Sequence, residues 1–146
     1  GGKSESDQRI GNQNQRSGEA SECIGLLIIS STKNMTTHTM KLSKLPFEKI
    51  ANGKKIIESR LYDEKRQQIK VDDKIEFSCN DELRKKAVTK VKALYIYGSF
   101  EDLFYDFPPE YFGGKSKDEL IKEIETFYSK EEQKKYGIVG IKIELT

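Results

Sequence analysis

The sequence predicts an α+β domain: a small, mostly antiparallel β-barrel with short helices, including a helical insert before the last strand. Strand-like alternation recurs early in the folded part, without the strict strand–helix alternation of a parallel α/β sheet. Helix-start signals then cluster between residues 99 and 132. A last apolar segment over 138–145 closes the chain as a strand, as a small barrel with inserted helices requires.

The first part of the predicted barrel contains four strands and one short helix. Residues 37–42 are predicted as a strand and 46–53 as a helix, with proline in its first turn and Asn-Gly at its end. The segment 55–61 is predicted as the second strand. Alternation at period two predicts a third strand over 74–79, and β-branched and aromatic residues predict a long fourth strand over 87–97.

Serine caps mark the helices of the predicted insert. Ser99 is predicted to cap a short helix that a Phe-Pro-Pro segment ends. The Ser-x-x-Glu box at Ser116 opens a helix that we expect to continue to about Tyr128, with Phe127 on its apolar face. The same box at Ser129 opens a last short helix, which favours a capping role over a nucleophilic role for this serine.

The first 34 residues have the composition of a disordered leader or of a segment added during cloning. They are rich in Gly, Ser, Gln and Asn and show almost no apolar periodicity before Cys23. The longest apolar run, 24–29, can form an added strand, but it falls far short of the roughly 20 residues of a membrane helix. We therefore expect one folded domain over 35–146, with no membrane partner, and favour a monomer.

Cysteine and histidine are too few to build a typical metal site. Cys23 and Cys79 lack metal-ligand spacing, and Cys23 lies outside the predicted domain, so we expect no disulfide and a cytoplasmic location. His38, the single histidine, is interpreted as a surface or half-buried strand residue rather than as a base. We expect no metal and no cofactor, so any chemistry must use Lys, Glu, Asp, Tyr, Ser or Thr.

Charge is distributed unevenly, although the formal net charge is only +2. Residues 41–74 contain ten Lys or Arg and six Asp or Glu, a balance of +4. Residues 101–132 contain four Lys or Arg and ten Asp or Glu, a balance of −6. This pattern indicates a basic face opposed by an acidic insert, and the basic face can meet phosphates. Ordinary solvation of both regions is the alternative.

The motif Gly53-x-Lys55-x-x-Glu58-x-Arg60 combines three charges with a glycine turn. In an extended strand, Lys55 would lie on one face, with Glu58 and Arg60 on the other. At the rim of a sheet Lys55 can reach an anion, while the other two residues set the local field. Spacing alone favours the alternative, an edge strand with solvated charges and an exposed Glu58–Arg60 pair worth under about 1 kcal/mol.

On this motif and the order of its elements, the chain resembles the ASCH domain family, which has a PUA-like β-barrel fold. The resemblance runs from about Met40 to Leu145. Asp72 departs from the family pattern, because relatives commonly have glycine there, and we expect a more strained turn. The anchors of the resemblance are Met40–Leu42, Pro46–Phe47, the motif over 53–60, Leu61–Arg66, Val71–Phe77, Tyr128–Glu132 and Tyr136–Ile141.

The resemblance implies recognition of RNA or a modified nucleoside in a cleft beside the motif. Family members are linked to RNA binding, to ribonuclease activity and to hydrolysis of the acetyl amide of N4-acetylcytidine. Two main functions stay open: a binding module without turnover, and a hydrolase with Lys55 as base or charge stabiliser and Glu58 as proton partner. A small-molecule sensor is a third. The amidohydrolase branch has threonine at the position of Glu58, which argues against N4-acetylcytidine deacetylation.

The expected nucleic-acid site extends from the motif into the loop that follows it. Lys55 and Glu58 are also the candidate catalytic pair. The aromatic member can stack on an unpaired base or pack on the barrel, and the two loop cations can contact phosphate or remain solvated. The predicted members are Lys55, Glu58, Arg60, Tyr62, Lys65 and Arg66.

Overall fold

The computed structural model describes residues 35–146, which form a curled sheet with four helices. The predicted leader over 1–34, including the strand considered at 24–29, lies outside the described residues. The elements follow the order β1 (Thr37–Leu42), α1 (Lys44–Ala51), β2 (Ile57–Leu61), β3 (Lys74–Cys79), β4 (Lys86–Tyr97), α2 (Phe100–Asp106), α3 (Lys117–Glu125), α4 (Lys130–Tyr136) and β5 (Ile138–Leu145).

The strand order in the sheet is β1-β3-β4-β5-β2, so β1 and β2 are its two edges. The β1–β3 pairing is parallel, and the other three pairings are antiparallel. The sheet curls into an incompletely closed barrel, in which Arg60 Nη2 of one edge donates to the Lys41 carbonyl of the other at 3.4 Å. The predicted α+β fold, a mostly antiparallel barrel with a helical insert before the last strand, is confirmed.

Two apolar clusters stabilise the domain. The first lies between the sheet and α1 and includes Ile50, Phe77 and Val91, all nearly inaccessible to solvent. The second packs the helical insert against β2, β4 and β5, and includes Leu103. A Cβ atom at Gly140 would lie 2.8 Å from Leu103 Cδ1, so any larger residue there would have to displace this buried leucine of α2.

The helix caps of the insert agree with the sequence. The Ser99 and Ser116 hydroxyls accept from the backbone N–H groups three residues later, at 3.2 Å each. Ser129 forms a complete capping box, in which the Glu132 carboxylate also accepts from the Ser129 N–H at 3.0 Å. These serines therefore stabilise helix starts by satisfying N–H groups that have no partner within the helix.

The first helix spans Lys44–Ala51 rather than 46–53, and the fourth strand begins at Lys86 rather than at 87. Two other boundaries that differ from the sequence expectation bear on the site. The second strand begins at Ile57 rather than at residue 55. Helix α3 ends at Glu125 rather than near Tyr128, because the chain turns tightly there and the N–H groups of residues 127 and 128 both donate to the Ile124 carbonyl. Within residues 35–146, no helix is long and apolar enough to cross a membrane.

Candidate functional site

The segment that enters β2 places Lys55 outside the sheet. Gly53 adopts a left-handed backbone, with φ of 81°, which turns the chain after α1. The Lys55 N–H then donates to the Lys49 carbonyl, and the Ile56 N–H donates to the Tyr111 carbonyl, each at 2.9 Å. Since Lys55 precedes the strand, strand alternation does not govern its direction. The expectation that Lys55 and Glu58 lie on opposite faces is therefore wrong.

Glu58 lies between two cations at the centre of the motif. Lys55 Nζ lies 2.9 Å from Glu58 Oε1, and Arg60 Nε donates to Glu58 Oε2 at 2.6 Å. Glu58 is only 3% exposed, and the side chains of Lys55 and Arg60 are largely buried. The alternative of an edge strand with solvated charges is wrong: β2 is an edge strand, but the motif charges form a buried triad.

The triad keeps Glu58 ionised. Burial alone would raise the pKa of this carboxyl group, because a charged group loses hydration in the interior. The charges of Lys55 and Arg60 outweigh that effect and lower the pKa of Glu58 from its ordinary value of 4.5 to about 2. At neutral pH the group is an anion that can accept hydrogen bonds, and it carries no proton to donate.

Arg60 connects the triad to both neighbouring parts of the fold. Burial acts to lower the pKa of Arg60, but the Glu58 carboxylate and a hydrogen bond with the Tyr128 side chain raise it overall. Its Nη2 atom donates to the carbonyl of Lys41 on β1. The guanidinium group thereby joins β2, β1 and the end of the helical insert, and its orientation is held by all three.

A pocket of about 240 Å³ opens above the triad, between the two edge strands and the insert. Lys55, Glu58 and Arg60 form its polar floor. Lys41 and Asn80 add polar groups, and residues of the insert supply an apolar wall. The complete lining is Lys41, Leu42, Ser43, Pro46, Lys55, Glu58, Ser59, Arg60, Asn80, Phe104, Phe112, Leu120, Glu123, Ile124, Phe127 and Tyr128.

The family model of the ASCH domain matches residues 40–146, almost all of the described fold. The chain belongs to the ASCH domain family. This ASCH domain is similar to the crystal structure of hypothetical protein PH0355, with 40% sequence identity and a TM-score of 0.68. The similarity covers 76% of this chain and 100% of that protein.

A second solved structure is the solution NMR structure of protein PF0455 from Pyrococcus furiosus. It is 39% identical to this ASCH domain, with a TM-score of 0.61 over 75% of this chain and 97% of that protein. None of the curated proteins matches the chain. The resemblance inferred from the motif and element order is therefore confirmed, and the curled sheet agrees with a PUA-like fold.

The sequence did not identify the aromatic residues at the mouth of the ASCH pocket. Phe127 was expected on the apolar face of a continuous helix, but α3 ends two residues earlier and the Phe127 ring is 70% exposed. Tyr128 stacks on Phe100 with a centroid separation of 5.6 Å and faces Arg60. The signal available in the sequence was a pair of aromatic residues directly before the Ser129 capping box, where one helix must end.

The other three predicted site residues do not line this pocket. Tyr62 is half-buried and packs against the main apolar cluster. Arg66 forms an ion pair with Asp63 at 3.1 Å, and Lys65 is exposed. These residues follow β2, whereas the pocket lies alongside β2 itself. Contact between these three residues and RNA stays a prediction, separate from the pocket.

The described residues contain no group of three His, Cys, Asp or Glu side chains that could hold a metal ion. His38 is instead paired with Asp73, with 2.8 Å between Nε2 and Oδ2. Cys79 is a free, buried thiol on β3. The polar groups that line the pocket include those of lysine, arginine, glutamate, asparagine and serine.

Proposed function

We propose that this ASCH domain binds RNA or a modified nucleoside by taking one unpaired base into the pocket above the Lys55–Glu58–Arg60 triad. The family is generally RNA-binding, and its model matches nearly the whole described fold. The observation that carries the proposal is the combination of a charged, pre-ordered floor with an exposed aromatic ring at the mouth of the same pocket.

The floor suits the edge of a neutral base better than a bare anion. Glu58 already offsets one of the two cations, so the triad has a net charge of about +1. A lysine ammonium has three N–H donors and a guanidinium has five, and each uses only part of this capacity on Glu58. The remaining donors can bind carbonyl or ring-nitrogen acceptors of a base.

The wall suits the face of a base. Phe127 is solvent-exposed and lines the pocket, so its ring is accessible to a ligand there. Stacking of a base on an aromatic side chain contributes about 1–3 kcal/mol and tolerates any base. A pocket of about 240 Å³ is small beside the roughly 300–1,000 Å³ typical of ligand sites, which suits a single base rather than several.

The hydrolase alternative, a ribonuclease or an amidohydrolase, requires Glu58 to exchange protons during turnover. A carboxylate with a pKa of about 2 is a weak base and holds almost no proton near neutral pH. The same triad geometry that suits recognition therefore opposes acid–base catalysis by Glu58. Turnover measurements on the same samples separate the two functions.

The test compares two adjacent lysines. Lys55 lines the pocket, whereas Lys54 is exposed and does not. Binding of labelled single-stranded oligoribonucleotides and of modified nucleosides is measured for the wild type, Lys55→Ala and Lys54→Ala. We expect Lys55→Ala to weaken binding at least about tenfold and Lys54→Ala much less, because both remove one charge but only one alters the pocket.

A second pair of variants tests the aromatic wall. Phe127→Ala is expected to weaken binding by about 1–3 kcal/mol. The control is Tyr105→Ala, which removes another exposed ring of the insert. Because Tyr105 does not line the pocket, this change is expected to leave binding unchanged. Equal affinities of wild type, Lys55→Ala and Phe127→Ala would show that this pocket is not the binding site. Release of cleaved RNA or of a free acyl group, lost in Lys55→Ala, would support the hydrolase instead.

A further inference from the structure

A second groove, of about 430 Å³, adjoins the base pocket at Lys55. Lys55 lines both hollows, and Gly53 and Ile56 of the same segment line the second one. Two exposed lysines, Lys92 of β4 and Lys142 of β5, lie on the rim of this groove together with the carboxylate of Glu144. Its full lining is Ile50, Gly53, Lys55, Ile56, Thr89, Lys92, Lys142, Ile143, Glu144 and Leu145.

An irregularity in the sheet brings the two lysines to the same groove. The β4–β5 register shifts between Val91 and Ala93, which leaves Lys92 as the extra residue of a β-bulge. Lys142 is the partner of the next residue, Ala93. A bulge redirects the side chain of its extra residue, and here that residue lines the same groove as Lys142 of β5.

These two lysines differ from the other lysines of β4. Lys86 pairs with Glu76 at 3.3 Å, and Lys90 pairs with Asp72 at 3.6 Å. Among the described residues, neither Lys92 nor Lys142 forms an ion pair. Glu144 offsets part of their charge without pairing with either, so the groove keeps a positive balance beside the base pocket.

The two buried cations of the base pocket both contact Glu58, and Glu123 adds a second negative charge to its lining. The one other cation in that lining is the exposed Lys41, so the pocket offers little charge to phosphate. A nucleotide whose base enters that pocket must place its phosphates elsewhere. The adjoining groove, which shares Lys55 with the pocket, provides cations in Lys92 and Lys142.

We propose that this second groove binds the phosphates that flank the captured nucleotide, so the ligand is single-stranded RNA rather than a free nucleoside. The inference rests on the proposed function and specifies its substrate class. Phosphate contacts are electrostatic and independent of sequence, so the groove adds affinity and leaves base selection to the pocket.

The test uses a mixed-sequence single-stranded RNA of about ten nucleotides, within the site sizes of about 4–16 nucleotides known for single-strand binders, and the corresponding ribonucleosides. The variant Lys92→Ala/Lys142→Ala removes both groove lysines. The matched control, Lys86→Ala/Lys90→Ala, removes the same charge from β4 at residues that do not line the groove. Binding is measured over a series of salt concentrations.

We expect the groove variant to bind the RNA about tenfold more weakly, and the control variant less than about threefold. Each phosphate contact on a single strand contributes about 0.7 to the slope of log affinity against log salt, so the groove variant should lose about 1.4 from this slope. Nucleoside binding should be the same in both variants and in the wild type, because a nucleoside carries no phosphate.

Different results would overturn the phosphate groove and the base pocket. If the groove and control variants bind RNA alike while Lys55→Ala loses binding, the groove is not a phosphate site and the base pocket stands. If the groove variant loses affinity for nucleosides as well, the lysines support the pocket and do not bind phosphate. If Lys55→Ala and the wild type bind RNA equally, both proposals are wrong.

Discussion

Two carboxylates, Glu58 and Asp73, are equally buried at 3% exposure but have different partners. Asp73 lies in the turn before β3 and accepts from the backbone N–H groups of Thr36 at 3.2 Å and Lys70 at 3.0 Å. Its remaining contact is with His38 on β1. Glu58 is bound by two side-chain cations, both of which line a pocket.

The difference supports the proposal that Glu58, rather than Asp73, belongs to a binding site. Backbone N–H groups cannot turn away from Asp73 without breaking the turn, so that carboxylate stabilises the β1–β3 end of the sheet. The lysine and arginine beside Glu58 have donors left over and line a pocket. In the proposed function, Glu58 orients these two cations for a ligand. Burial of a charged group alone does not distinguish these roles, whereas the identity of its partners does.

The largest expected effect comes from neutralising Glu58. Glu58→Gln leaves two buried cations without their counter-charge, which typically costs about 3–5 kcal/mol when a buried pair loses one partner. The free energy of unfolding, measured in urea, should fall by that amount, and RNA binding should weaken in the folded protein. A Glu58→Gln protein of wild-type stability and affinity would contradict the role of the triad.

Acid should remove the same stabilisation from the wild type. The pKa of Glu58 in the folded protein, about 2, lies below the ordinary value of 4.5 expected when unfolded, so the folded state binds fewer protons. This contribution is present above pH 4.5 and is lost as the pH falls towards 2. It amounts to about 3 kcal/mol.

The measurement is urea unfolding of the wild type and Glu58→Gln at a series of pH values. The stability difference between the two proteins should shrink steadily below about pH 4.5, because only the wild type has a carboxyl group that titrates at position 58. A difference that stays constant down to about pH 2 would show that the carboxylate is not held as an anion by its neighbours.

Asp73→Asn should cost less stability than Glu58→Gln and should leave RNA binding unchanged. An asparagine side chain keeps one acceptor oxygen, so one or two of the hydrogen bonds to Asp73 are lost, at about 1–3 kcal/mol in total. The measurement pairs urea unfolding with the oligoribonucleotide binding assay. A tenfold loss of RNA affinity with intact folding would show that the contrast between the two carboxylates is wrong.

The smallest expected effect is at Asp72, the neighbour of Asp73 in the same turn. Asp72 is the only non-glycine residue with a positive φ among the described residues, at 81°, a left-handed conformation that agrees with the more strained turn expected from the family pattern. Asp72→Gly should raise the free energy of unfolding by about 0.5–1 kcal/mol, because glycine adopts this conformation without strain. This gain is net of the small stabilisation lost with the exposed ion pair between Asp72 and Lys90.

Asp72→Ala is the matched control, since it loses the same ion pair but keeps a Cβ atom at positive φ. It should be less stable than the wild type, whereas Asp72→Gly should be more stable. If both variants lose the same stability, the turn stores no strain. Neither change should alter RNA affinity, because this turn does not line the base pocket.

The order of strands and helices could be predicted from the sequence because it depends on local patterns. Alternation along 74–79 and three serine caps are properties of neighbouring residues, and the structure agrees with them. The family could also be predicted, since the 53–60 motif and the closing strand can be recognised directly in the amino-acid sequence. The three charged residues of the pocket floor, Lys55, Glu58 and Arg60, were all identified this way.

Only the tertiary structure decided how those residues are used. The curl of the sheet brings its two edges together, so Lys41 on β1 meets Arg60 on β2, and no local pattern records such a distant approach. The turn at Gly53 directs Lys55 back to Glu58, and the early end of α3 leaves Phe127 exposed at the pocket. Burial of Glu58 and the direction of these side chains depend on packing between distant segments, which spacing along the chain does not determine.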